Sequence, residues 1–182
     1  MFQSKAFKKS LLEGVWLYCP KIHLDERGST SEIFNSKLVP SNFNKINITQ
    51  LLIAKNNKNV IRGLHFSRIE NPQFKLINCV EGTILDVVID LRKNSKTFGK
   101  HEIFLLDSVN TETLMIPNGF GHGYQVISEG ATVHYALQTN FRFEDEFVIN
   151  PFDPVLNIPW HPGKHILSYR DKHGANFDQY FK

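Results

Sequence analysis

The chain has 182 residues, 41% of them hydrophobic and 21% charged, with a formal net charge of +3. That length buries a substantial core as one domain without metal or disulfide staples. The small charge, with no basic run longer than Phe7-Lys8-Lys9, speaks against nucleic acid as a partner, although a positive bias suits an anionic small molecule such as a phosphate ester. Cys19 and Cys79 are the two cysteines. With no C-x-x-C spacing they read as reduced thiols of a cytoplasmic protein. No window approaches eighteen apolar residues, and residues 1–14 lack the apolar segment of a signal peptide, so no membrane is expected.

In chain order, residues 10–25 predict an early strand, followed by the charged turn Asp25-Glu26-Arg27-Gly28. Residues 35–47 read as a short helix or irregular loop. Residues 48–54 are apolar and short, as a buried strand would be, and 55–59 read as a polar turn. Residues 60–80 then hold two β-type runs around a turn-prone loop, 67–72. A hairpin follows, 75–80 and 83–92 about Glu81-Gly82. In its second arm Thr83, Leu85, Val87, Ile89 and Leu91 share one face, and Ile84, Asp86, Val88, Asp90 and Arg92 the other. Residues 93–99 read as a loop, 101–106 as a strand and 107–111 as a turn. A short strand at 114–116 is stopped by Pro117, residues 117–123 form a glycine-rich bend, and strands are expected at 124–128 and 131–139. Many short strands at regular spacing, with almost no helical period, argue for an antiparallel sandwich or barrel. From 141 to 182 the pattern is irregular, capping material of a single domain spanning 1–182.

Strand alternation places His65 with Ile61 and Gly63, with Arg62 and Leu64 on the opposite face. Lys75 falls with Ile77 and Cys79, and Tyr135 with Val133 and Leu137. An ionisable group among apolar neighbours is costly to bury, so these positions need a reason. A rim histidine, a solvated lysine and a core tyrosine with a satisfied hydroxyl are the plain reasons for each taken singly. Together they can act as a general base (His65), a cation at a developing oxyanion (Lys75) and a proton donor (Tyr135). Asp171 would orient the imidazole. A base, an oxyanion partner and an acid without a cofactor motif fit proton abstraction next to a carbonyl. A metal centre on His65 and His122 lacks its spacing, since neither H-x-H nor a nearby Glu accompanies His65. No dinucleotide fingerprint, P-loop or nucleophile elbow is present.

Several ordered blocks carry a resemblance. They are Asp25-Glu26-Arg27-Gly28, Arg62-Gly63-Leu64-His65, Gln73-Phe74-Lys75-Leu76, Glu81-Gly82 with the run from Asp86 to Arg92, Thr97-Phe98-Gly99, Ile116-Pro117-Asn118-Gly119-Phe120-Gly121-His122-Gly123, and Ile166-Leu167-Ser168 with Asp171. Across most of its length, from about Tyr18 to Asp171, the chain resembles the dTDP-4-dehydrorhamnose 3,5-epimerase family. The resemblance implies an all-β double-stranded β-helix (cupin-type jelly roll) with short peripheral helices, usually a homodimer, using no metal or other cofactor. Its substrates are nucleotide-linked 4-keto-6-deoxy sugars. By this resemblance His65 takes protons from C3 and C5 with Asp171 as its partner, Lys75 sits at the C4 oxygen, and Tyr135 returns a proton at C5. Arg27, Glu32, Gln50, Arg62 and His122 fall at positions that contact nucleotide, phosphates or sugar, and Phe141 at a ring position beside the base.

The chain departs from the family pattern at His23, at Leu51-Leu52-Ile53-Ala54 in place of a polar run, at Phe141 in place of tyrosine, and at His161 in place of proline. These departures concern the nucleotide pocket and its walls. A C3-only epimerase and a GDP-linked 4-keto-6-deoxy-heptose epimerase therefore stand as rivals to a dTDP-sugar 3,5-epimerase. Outside that class stand a non-catalytic nucleotide-sugar binding module and a metal-dependent cupin oxygenase.

Overall fold

A computed structural model describes residues 7–40, 43, 46–67, 73–140 and 142–181. Its strands are β1 (Phe7–Lys9), β2 (Trp16–Tyr18), β3 (Ile22–Asp25), β4 (Gly28–Ser31), β5 (Gln50–Asn57), β6 (Ile61–Ser67), β7 (Lys75–Glu81), β8 (Thr83–Asp90), β9 (His101–Asp107), β10 (Thr113–Ile116), β11 (Phe120–Val126), β12 (Gly130–Leu137) and β13 (Glu146–Val148). Two short helices follow, α1 (Tyr169–Lys172) and α2 (Phe177–Phe181). Among the described residues one sheet runs β1-β2-β10-β7-β12-β5, the other β13-β6-β11-β8-β9, and β3 and β4 form a separate hairpin. All these pairings are antiparallel. No helix of the described residues is long and apolar enough to cross a membrane.

The core lies between the two sheets. Ile77, Cys79, Leu114, Ile116 and Val133 from one meet Ile84, Val88, Leu106, Tyr124 and Val126 from the other. The opposite face of β8, with Val87 and Ile89, packs under the C-terminal segment against Ile149, Leu156 and Phe177. The alternation read along 83–92 is thus real, and both faces of β8 are covered. The arrangement is a cupin-type jelly roll. The loop after β8 is tied to a buried carboxylate, as Asp90 accepts hydrogen bonds from Arg92, Ser95 and Thr97. Burial pushes the Asp90 carboxyl up, but these donors outweigh it and hold it at about 2.

Several expectations are corrected. Residues 10–25 are no single strand: Gly14 at φ +100° and Pro20 divide them into β2 and β3. The predicted buried strand at 48–54 is β5, an edge strand running to Asn57, and Leu51 and Ile53 are 64% and 67% exposed. Among the described residues its one strand neighbour is β12, and Leu51 and Ile53 are left largely uncovered. Lys55 to Asn57 therefore belong to strand, and the turn is confined to Lys58 and Asn59. The glycine-rich bend ends at Gly119, with Phe120 to Gly123 already in β11. Gly123 is there for close approach, since a Cβ would stand 2.6 Å from the Arg62 carbonyl oxygen. Residues 36–38 form a turn, and the rest of the irregular segment shows no α-helix among its described residues. The predicted loop at 67–72 lies outside the described residues apart from Ser67, which ends β6.

Candidate active site

A cavity of about 450 Å³ opens at one end of the sandwich, a volume that suits a small organic ligand. It is lined by Arg62 and His65 from β6, Lys75 from β7, His122 and Tyr124 from β11, Tyr135 from β12, Glu146 from β13, and Arg170 and Asp171 from α1. Simple alternation separates Arg62 from His65. The register corrects this: His122 pairs with His65 and Tyr124 with Arg62, so two residues of β6 stand opposite Gly123 alone. The extra residue is a bulge, which turns both side chains to the cavity while Leu64 is buried on the other side. Gly63 carries the irregularity at φ +108°, where a Cβ would meet the His122 carbonyl oxygen at 2.7 Å.

His65 Nε2 lies 2.7 Å from Asp171 Oδ1. Ser168 caps α1 by accepting from the Asp171 N–H, which fixes the helix against the cavity. Burial pushes the Asp171 carboxyl up. The bonds from His65, Ser168 and the Gly63 N–H more than offset this, so it lies below the ordinary aspartate range. The other imidazole nitrogen, Nδ1, is 3.8 Å from Glu146 Oε1, and Arg170 binds Glu146 Oε2 at 2.9 Å. A carboxylate thus holds one nitrogen of the ring, and the other lies toward Glu146, both residues being on the cavity wall.

Lys75 is 6% exposed. Burial pulls its ammonium below the ordinary lysine value, against the partial opposition of Glu146 and Asp86. Across the cavity, His122 Nε2 lies 2.8 Å from Asp86 Oδ2. Asp86 is fully buried, and its Oδ1 has no hydrogen-bond partner among the described residues; burial raises this carboxyl despite His122. The Tyr135 ring centroid is 6.2 Å from that of His122, and burial, followed by the neighbouring Tyr124, raises its phenol well above the ordinary value. Of the two histidines weighed as metal ligands, His65 is bonded to Asp171 and His122 to Asp86.

The structure therefore brings His65, Asp171, Lys75, Tyr135, Arg62 and His122 to one cavity. Arg27, Glu32 and Gln50 are not part of its lining. Arg27 sits on the exposed β3–β4 hairpin and pairs with Asp25 at 2.6 Å, its side chain 84% exposed. Glu32 accepts from the Asn35 amide at the surface, and Gln50 begins the edge strand β5. Phe141 lies outside the described residues. Glu146 and Arg170 on the cavity wall, and Asp86 buried behind His122, are the charged groups that sequence reasoning passed over. For Asp86 a signal existed, because it stands between the core residues Ile84 and Val88 on one face of β8.

The profile of the family described as dTDP-4-dehydrorhamnose 3,5-epimerase matches residues 9–179. The chain belongs to this family. It is accordingly an isomerase, an epimerase by class. It is 36% identical over 170 residues to the dTDP-4-dehydrorhamnose 3,5-epimerase of Shigella flexneri, covering 93% of this chain and 94% of that one. It is also 33% identical over 163 residues to a dTDP-4-dehydro-6-deoxyglucose 3-epimerase of Streptomyces sp, covering 88% and 83%. Among solved structures, the 3,5-epimerase of Legionella pneumophila in complex with dTDP-4-keto-L-rhamnose superposes with a TM-score of 0.89 at 31% identity, covering 94% of this chain and 92% of that one.

Proposed function

We propose that this epimerase inverts C3 and C5 of a dTDP-linked 4-keto-6-deoxy sugar. The observation that carries the reading is the convergence on one cavity of an aspartate-held imidazole, a buried ammonium and a phenol. The 4-keto group acidifies the two carbons beside it. His65 takes a proton from either, and Lys75 stabilises the negative charge that moves to the C4 oxygen. Tyr135 returns a proton at C5 from the opposite face. Arg62 offers its fork to the diphosphate, the geometry for which guanidinium is suited. His122, held by Asp86, contacts the sugar. In this reading the chain is one domain, and the segment from 141 onward is the cap that carries Glu146 and Asp171 into the site.

The test is incubation with dTDP-4-keto-6-deoxyglucose in D₂O, read by NMR. Deuterium is expected at both C3 and C5. Replacing Tyr135 with phenylalanine is expected to slow incorporation at C5 by about 10²-fold or more while C3 continues to label. Label at C3 alone in the native protein assigns the narrower activity carried in the name of the Streptomyces relative. Preferential turnover of a GDP-linked 4-keto sugar redirects the nucleotide assignment.

The exposed row on β5, with Leu51 and Ile53, stands beside the cavity mouth, and Leu24 on the β3–β4 hairpin is 79% exposed. We read these surfaces as the interface of a homodimer that carries Arg27 and Glu32 to the partner's cavity. An exposed apolar edge strand invites such pairing. Leu51→Lys is expected to shift the protein to monomer on size exclusion and to raise KM by about tenfold. A monomeric native protein with full activity rules this arrangement out.

A further inference from the structure

Of the residues of β5, Asn56 alone is buried. An amide taken out of water is costly unless it is bonded, and this one is bonded at both ends. Its Nδ2 donates to the carbonyl oxygens of Ala54 at 2.9 Å and Ala131 at 3.2 Å. Carbonyls can only accept, so these two contacts decide which end of the amide is nitrogen. Its Oδ1 accepts from Arg62 Nε at 2.7 Å and from the Tyr124 hydroxyl at 3.3 Å.

The bond to Arg62 is the shorter of the two, and its donor is charged. It also crosses between layers, since β5 belongs to one sheet and β6 to the other, with Lys58 and Asn59 turning the chain between them. Arg62 itself is exposed and lines the cavity. A long side chain in that position samples many rotamers unless something anchors it. Nε lies in the guanidinium plane at the end of the stem, so a bond there fixes the plane without covering the tip. Among the described residues Nη1 and Nη2 have no hydrogen-bond partner. The edge they form, two parallel N–H groups, is the fork that meets two oxygens of a phosphate.

We propose that Asn56 is a positioning residue for Arg62, holding the guanidinium by Nε so that its Nη1–Nη2 edge is set in advance for the diphosphate of the nucleotide sugar. The inference rests on Arg62 being the group that meets the diphosphate. Asn56 touches no substrate atom in this account; it reduces the ordering that Arg62 would otherwise undergo on binding. An amide that only satisfied Tyr124 and two carbonyls would be indifferent to the residue at position 62. An amide that aims the guanidinium matters to binding only while an arginine is there.

The experiment is a double-mutant cycle read by calorimetric titration with dTDP, with thermal unfolding as the check on folding. Asn56→Ala and Asn56→Ser are each made in native protein and in Arg62→Ala. With Arg62 present, either Asn56 variant is expected to weaken dTDP binding by about fivefold to tenfold. In the Arg62→Ala background the further loss is expected to be less than about twofold, because the group being aimed is gone. In turnover of dTDP-4-keto-6-deoxyglucose, KM rises by the same factor while kcat stays within about twofold, the mark of lost uniform binding. Native affinity in a folded Asn56 variant, or an equal loss in both backgrounds, overturns the inference and leaves Arg62 as it was. If only one of the two variants folds, that one decides; if neither does, Asn56 serves folding and the inference fails. Arg62→Ala that binds dTDP as tightly as native protein overturns the reading of Arg62 and this inference with it. Native protein that binds GDP in preference to dTDP moves the cycle to GDP, since the diphosphate is common to both, and native protein that binds neither overturns both readings.

Discussion

Replacing His65 with asparagine is expected to lower deuterium incorporation at C3 and C5 together by about 10²–10⁴-fold, the range of a lost general base. Both positions fall because one imidazole serves both. KM is expected to move only a few-fold, since Arg62, Lys75 and His122 remain on the cavity wall. Asparagine retains a group that can meet Asp171, so the fold and the bulge at Gly63 survive, as circular dichroism will report. Asp171→Asn is expected to cost less activity, because it disturbs the tautomer and orientation of the ring without removing it. Its effect on stability has a definite sign. The folded carboxyl lies below the ordinary aspartate range, so its contribution is complete above about pH 3.9 and disappears as the pH falls through the folded value. The difference in stability between native protein and Asp171→Asn should therefore narrow in acid. Exchange that persists at either carbon in His65→Asn would place the base elsewhere in the cavity.

The readable part of this protein was the part governed by local rules. Period-2 alternation identified β8 and the inward-facing member of β12, and it put Lys75 on the same face as Ile77 and Cys79. Two things broke those rules. The bulge in β6 adds one residue, so Arg62 and His65, assigned to opposite faces, come to the same one. A register shift depends on the partner strand, and the partner of β6 is β11, more than fifty residues away. Nor does an apolar run reveal whether anything covers it: residues 51–53 have the composition of a buried strand and occupy an open edge. Charges reaching the site from irregular segments, such as Glu146 and Arg170, have no local pattern to betray them. Asp86 was the exception. A carboxylate between Ile84 and Val88 on a strand face requires a buried partner, and that partner is His122.

Lys75→Met tests the buried cation, and its two effects should run in opposite directions. Removing the ammonium beside a developing oxyanion is expected to lower turnover by about 10²–10³-fold, the loss measured for a single such donor elsewhere. Stability should rise. Lys75 is 6% exposed, and the desolvation of its charge outweighs the attraction of Glu146 and Asp86, which is why its ammonium lies below the ordinary lysine value. Exchanging a buried ion for an apolar chain of similar length is commonly neutral or stabilising by about 1–4 kcal/mol. Asp86 keeps His122 and Glu146 keeps Arg170, so neither carboxylate is left alone. The pH dependence separates this account from a simple packing gain. Between the lowered folded value and the ordinary value near 10.4, the unfolded chain binds a proton that the folded chain has released, so native stability climbs with pH in that window. The methionine variant has no such proton to lose, and its advantage should shrink as the pH approaches 10. Denaturant melts of the two proteins across neutral to alkaline pH measure it directly. A variant that is both inactive and less stable at neutral pH would mean that Lys75 holds the two sheets together and that its charge is not confined there for chemistry.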